Sequence, residues 1–80
     1  MIVHVKVPKL GLTMEEATVA AWSVAVGDAV DQGQELVEIE TEKAVNGVPS
    51  PVAGRVVAIY AQADETLEVG ARLCTIETDS

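Results

Sequence analysis

The amino-acid sequence predicts an all-β fold, a flattened sandwich or barrel in which two small sheets related by a pseudo-twofold cover each other's apolar faces. Three observations carry this expectation. The apolar residues are dominated by Val and Ala and fall in short alternating runs; turn signals recur too closely to leave room for a helix of ten residues; and the sequence repeats itself at a spacing of 37.

The runs are read in chain order. Val3, Val5 and Val7 alternate with His4 and Lys6, the pattern of a strand with one face in a core and the other in water. Val37 and Ile39 alternate in the same way with Glu38 and Glu40, and Leu73-Cys74-Thr75-Ile76-Glu77 forms a matching segment. β-branched side chains favour the pleated, half-buried surface that these runs imply. Between them stand Gly27-Asp28, Gln32-Gly33, Asn46-Gly47, Pro49-Ser50-Pro51, Ala53-Gly54, Ala63-Asp64 and Val69-Gly70, residue pairs whose backbone freedom or side-chain hydrogen bonding suits a reversal.

Displacing the sequence by 37 positions pairs Val19 with Val56, Asp28 with Glu65, Val30 with Leu67, Gly33 with Gly70, Leu36 with Leu73, Ile39 with Ile76, Glu40 with Glu77 and Thr41 with Thr78. The expectation is one domain over residues 1–80, with a first half at 2–40 and a second at 44–78. Two copies of one strand-turn-strand unit bury their apolar faces against each other. The ends of the copies, 39–41 and 76–78, then take equivalent positions on opposite sides, one at a turn and the other at the chain end.

Composition bounds the function. The chain has 80 residues, 13 acidic against 5 basic side chains and a formal net charge of −8, with 49% apolar content. A chain of this size has about 4 to 12 kcal/mol of stability and no large core from which to carve a deep catalytic pocket, which argues against an enzyme. The acidic surface repels phosphate backbones, so nucleic acid is excluded as a partner. No apolar run approaches the ~20 residues of a membrane span, and Met1 to Lys6 reads as a strand and not as a signal peptide, which favours a cytoplasmic setting. The single Cys74 permits neither an internal disulfide nor a cysteine-based zinc site.

One side chain is singled out. Lys43 is one of three lysines, with Lys6 and Lys9, and lies in Glu40-Thr41-Glu42-Lys43-Ala44 at the junction of the two halves. A lysine at a strand-to-strand turn projects a flexible four-carbon stem from the body, with an amine open to acylation. On chemistry alone a solvated surface lysine is the commoner outcome.

The pentapeptide Glu40-Thr41-Glu42-Lys43-Ala44, followed by Val48-Pro49-Ser50-Pro51-Val52-Ala53-Gly54, resembles the lipoyl domains of the 2-oxo acid dehydrogenase acyltransferases. The resemblance extends over about Ile2 to Glu77. Pro8-Lys9-Leu10-Gly11-Leu12-Thr13-Met14-Glu15-Glu16 is similar to that family's first loop, Trp22 to its second-strand tryptophan, and Val26-Gly27-Asp28-Ala29-Val30 to the turn that follows. It implies two four-stranded antiparallel sheets with the modified lysine at a tight hairpin, and lipoic acid attached covalently to Lys43. It also implies a lipoate ligase or lipoyl transferase, a thiamin-diphosphate dehydrogenase, an acyltransferase core and a dihydrolipoyl dehydrogenase as partners, and a non-catalytic carrier. Glu42, Ala44 and Thr41 are the expected recognition residues at the lysine. The loop Gly11-Leu12-Thr13-Met14 is open to two readings, recognition and capping of the sandwich.

Two alternatives stand beside this one: a biotin carrier domain of a carboxylase, and an unmodified protein-binding sandwich. Biotin carriers share the fold but place methionines beside the lysine, whereas here the neighbours are Glu42 and Ala44. Turn chemistry and resemblance disagree at one place. Asn46-Gly47 is a favoured hairpin dipeptide, but the repeat ends at Thr41, so the reversal is expected at Glu42-Lys43 and Gly47 is expected to mark a strand bulge. Trp22 and Cys74 are expected as packing residues, and His4 as an exposed residue with no metal role.

Overall fold

The computed structural model describes residues 1–9, 14–42 and 44–78. Among them the strands are β1 (Ile2–Lys6), β2 (Glu16–Trp22), β3 (Ala29–Val30), β4 (Glu35–Glu40), β5 (Val45–Pro49), β6 (Gly54–Ile59), β7 (Thr66–Glu68) and β8 (Arg72–Glu77). They form two antiparallel four-stranded sheets, ordered β1-β8-β6-β3 and β5-β4-β2-β7. The sheets keep free edges, so the body, 36 × 22 × 17 Å, is a flattened sandwich and the barrel alternative is not realised. Asn46-Gly47 lies inside β5, and the chain reverses between Thr41 and Ala44.

The two halves correspond strand by strand. Replacing β1, β2, β3 and β4 by β5, β6, β7 and β8 converts one sheet order into the other. The connecting hydrogen bonds follow the same rule. The Val19 and Val56 amides donate to Glu65 and Asp28 at 2.9 Å each; Ser23 and Tyr60 donate to Leu36 and Leu73 at 2.9 Å each; Gly27 and Asp64 donate to Val56 and Val19 at 2.7 Å each. Backbone conformation is matched too. Gly33 and Gly70 have φ of 86° and 93°, and Gly27 (98°) has Asp64 (72°) as its twin.

The core shows why the sequence repeats. Its largest fully buried side chains are Leu36 and Leu73, Ile39 and Ile76, Val19 and Val56, and Val37 with Cys74, four positions each used twice. Fully burying a Val, Leu or Ile side chain contributes about 1.5 to 3 kcal/mol. Simple alternation does not account for burying Leu36 and Val37 in succession. The β4–β5 register shifts between Glu35 and Val37, and the β1–β8 register shifts opposite Leu73, so each leucine is an extra residue turned into the core.

Gly47 is not a bulge. It pairs in register with Glu38, and a Cβ there would meet the Glu35 side chain, whose other carboxylate oxygen accepts from the Ser23 hydroxyl at 3.0 Å. Glycine at 47 makes room for that side chain. Trp22 is half-buried against the core and its indole N–H donates to the Ala61 carbonyl at 3.0 Å, in keeping with a packing role. His4 is exposed, yet its Nδ1 lies 2.9 Å from the Thr75 hydroxyl, which also meets the Tyr60 hydroxyl at 2.7 Å.

Two outcomes follow from this packing. A Cβ on Gly33 or Gly70 would meet nothing within 4 Å, so the cost of Gly33→Val or Gly70→Val is backbone strain alone, about 1 to 3 kcal/mol and similar for the two, read from chemical denaturation. Burial pushes the Cys74 thiol up to about 11 from 9.0. The unfolded thiol ionises first as pH rises, so its contribution is complete below pH 9 and is lost towards pH 11. Denaturation at pH 8 and 10.5 should show about 2 kcal/mol more alkaline destabilisation in the wild type than in Cys74→Ala.

Candidate functional site

The hairpin between β4 and β5 is the joint between the two halves. Glu40 pairs with Val45, and beyond them the Thr41 amide donates to the Ala44 carbonyl at 2.9 Å. The Thr41 hydroxyl donates to the same carbonyl at 3.3 Å. Thr41 is half-buried, while Glu42, Ala44 and Val45 are exposed, Val45 by 54%. Lys43 stands between Glu42 and Ala44 in the chain and lies outside the described residues, as do Gly11, Leu12 and Thr13 of the first loop.

The residues that follow the first loop lie at the same end of the molecule. β2 runs antiparallel to β4 with Thr18 opposite Glu40, so the residues that lead into Glu16 arrive beside the hairpin. Met14, the last of them that the sequence singled out, packs partly buried against the core. Comparison of the halves shows what this loop is. β1 and β5 correspond at an offset of 43, since Ile2 faces Glu77 as Val45 faces Glu40; from β2 and β6 onward the offset is 37. The connection between β1 and β2 is therefore six residues longer than its twin between β5 and β6, which makes the same crossing without them.

Charge breaks the twofold as well. β2, β4, β5 and β7 contain Glu16, Glu35, Glu38, Glu40 and Glu68 and neither lysine nor arginine; β1, β6 and β8 carry Lys6, Arg55 and Arg72. Glu16 and Glu68 face each other directly across β2 and β7, a like-charge pair that costs stability. The hairpin sheet is thus the acidic side of the body.

Among the described residues no group of three His, Cys, Asp or Glu is arranged to hold a metal ion. A shallow cleft of about 250 Å³ lined by Ala29, Gly54, Arg55 and Glu77 lies on the other sheet. The free thiol, Cys74, is buried, and no helix of the described residues is long and apolar enough to cross a membrane.

The chain is a flattened pair of twin sheets whose β4–β5 hairpin has a lysine in its sequence between exposed flanks. The chain belongs to the biotin/lipoyl attachment family, whose model, described as "Biotin-requiring enzyme", matches residues 3–76. Its relatives point to the lipoyl branch. It is 44% identical over 77 residues to the dihydrolipoyllysine-residue succinyltransferase component of the 2-oxoglutarate dehydrogenase complex of Bartonella vinsonii subsp. berkhoffii, covering 96% of this chain and 19% of that protein. It is 43% identical over 72 residues to the dihydrolipoyllysine-residue acetyltransferase component of the pyruvate dehydrogenase complex of Corynebacterium glutamicum, covering 90% of this chain and 11% of that one. The chain thus spans a tenth to a fifth of the length of these relatives. Among solved structures, the lipoyl domain of the 2-oxoglutarate dehydrogenase complex of Azotobacter vinelandii superposes with a TM-score of 0.80 at 27% identity, covering 98% of this chain and 99% of that one. A urea carboxylase from Kluyveromyces lactis matches with a TM-score of 0.81 over 96% of this chain and 6% of that one, at 21% identity, a likeness of fold alone.

Proposed function

We propose that the chain is a lipoyl carrier domain and not itself a catalyst, with lipoic acid joined in amide linkage to the Nζ of Lys43. The observation that carries this is the exposed reversal closed by Thr41 and Ala44 within the sequence Glu40-Thr41-Glu42-Lys43-Ala44. When attached, the lipoyl group supplies a dithiolane that accepts an acyl group together with two electrons. The domain holds the lysine on a short hairpin and keeps its flanks clear. It also tethers the carried group to a protein surface that partner enzymes read, at an effective concentration a free cofactor lacks. The names of the relatives support a place among a thiamin-diphosphate dehydrogenase, an acyltransferase and a dihydrolipoyl dehydrogenase of a 2-oxo acid dehydrogenase complex, with a lipoate ligase or lipoyl transferase loading the arm. The biotin carrier reading is weaker, because Glu42 and Ala44 occupy the flanks and the carboxylase likeness is one of fold.

Recognition is assigned to Glu42, Ala44 and the loop Gly11 to Met14. The internal twin supports recognition over capping for the loop: the connection between β5 and β6 makes the same crossing without the six extra residues, so their presence in the sequence answers a need other than the crossing itself. The acidic sheet around them favours a basic partner surface and an encounter rate that falls with salt.

Peptide mapping after loading by a lipoate ligase is expected to place one lipoyl group on Lys43, with Lys43→Ala folded and unmodified; addition at Lys6 or Lys9, or addition of biotin instead, overturns the assignment. On fully loaded protein, Glu42→Gln and Leu12→Ser are expected to slow reductive acylation by the cognate dehydrogenase several-fold. The Glu42→Gln effect should shrink as ionic strength rises. Equal rates for both variants and wild type would leave the loop a cap.

A further inference from the structure

We propose that Thr41 is a positioning residue for attachment: its hydroxyl holds the Ala44 carbonyl and so keeps the reversal in the one shape that the modifying enzyme accepts. This deepens the carrier reading and rests on it. Two donors of Thr41 converge on one acceptor, the amide at 2.9 Å and the hydroxyl at 3.3 Å. A carbonyl oxygen has two lone pairs, so both bonds coexist. The amide bond fixes strand register, while the hydroxyl bond fixes the Thr41 side chain and ties the residue before the reversal to the residue after it. Ser and Thr hydroxyls stabilise turns through local bonds of this kind.

The pseudo-twofold separates the two roles. At the equivalent position in the other sheet, the Thr78 amide donates to the Met1 carbonyl at 2.9 Å, between residues 77 apart in the chain. The backbone bond there forms without any turn, so it comes from strand pairing, here Glu77 with Ile2 as Glu40 with Val45 on the hairpin side. Removing the Thr41 hydroxyl leaves the Glu40–Val45 pair and the Thr41 amide bond in place, and its effect is expected at the apex. Glu42 and Ala44 on either side are exposed. A looser apex populates the competent shape less of the time, which raises the apparent dissociation constant for an enzyme that binds that shape.

Thr41→Val keeps the size and the β-branch and removes the O–H; Thr41→Ser keeps the O–H. In lipoate ligase kinetics with the whole chain, Thr41→Val is expected to raise KM for the protein about three- to tenfold, the ratio that one neutral hydrogen bond gives, with kcat within about twofold. Thr41→Ser should restore KM. Amide exchange on the unmodified protein should show the residue 41 amide opening faster in Thr41→Val by a similar factor, with the Thr78 amide unchanged. Wild-type KM and exchange in Thr41→Val, or no rescue by Thr41→Ser, overturn the proposal. A raised KM with unchanged exchange overturns it too, because Thr41 is then touched directly by the enzyme. If no variant and no wild type accepts lipoate, the carrier reading fails, and the exchange measurement alone still decides whether the hydroxyl holds the apex.

Discussion

The structure depends on one constraint, the mutual burial of two equivalent apolar faces. Neither half carries enough large side chains to make a core, and there is no phenylalanine in the chain. Four positions used twice, Leu36 with Leu73, Ile39 with Ile76, Val19 with Val56 and Val37 with Cys74, supply the largest fully buried side chains between the sheets. The remaining regularities serve that contact. The bulges at Leu36 and Leu73 bring an extra side chain inward from each face, and the left-handed residues at 27, 33, 64 and 70 turn the chain sharply enough for short strands to return to the opposite sheet.

An internal twin also distinguishes what the fold requires from what has been added to it. Two departures from the twofold are the six extra residues in the connection before β2 and the exclusion of cations from the strands of the hairpin sheet. A body held together by core packing needs neither. The like-charge pair of Glu16 and Glu68 opposes folding slightly and is retained. The hairpin stands at the β5 edge of this acidic sheet.

Much of this was legible in the sequence, because the features concerned are local or repeated. The alternation of Val3, Val5 and Val7 and of Val37 and Ile39 marks strands, and the pairing of Gly33 with Gly70 foretells equal backbone conformations. What stayed hidden depends on contacts between distant residues. Leu36 beside Val37 reads as a break in alternation until the register shift opposite β5 is seen. Gly47 reads as a turn or bulge residue because its reason, the Glu35 side chain, lies on the neighbouring strand. His4 reads as solitary since Thr75, 71 residues away, supplies its partner. At the hairpin the pentapeptide pointed to Lys43 by resemblance, whereas the double bond from Thr41 to Ala44 is a matter of geometry alone.

The alternation of strands between the sheets has a kinetic consequence. β1, β3, β6 and β8 lie in one sheet and β2, β4, β5 and β7 in the other, so neither half of the chain contains a complete sheet. The pairing of Ile2 with Glu77 closes a loop of nearly the whole sequence, and its entropic cost is met before any stabilisation returns. Such a topology folds on the scale of milliseconds to seconds. The two halves therefore gain their stability together, since each sheet is complete only when strands from both have met.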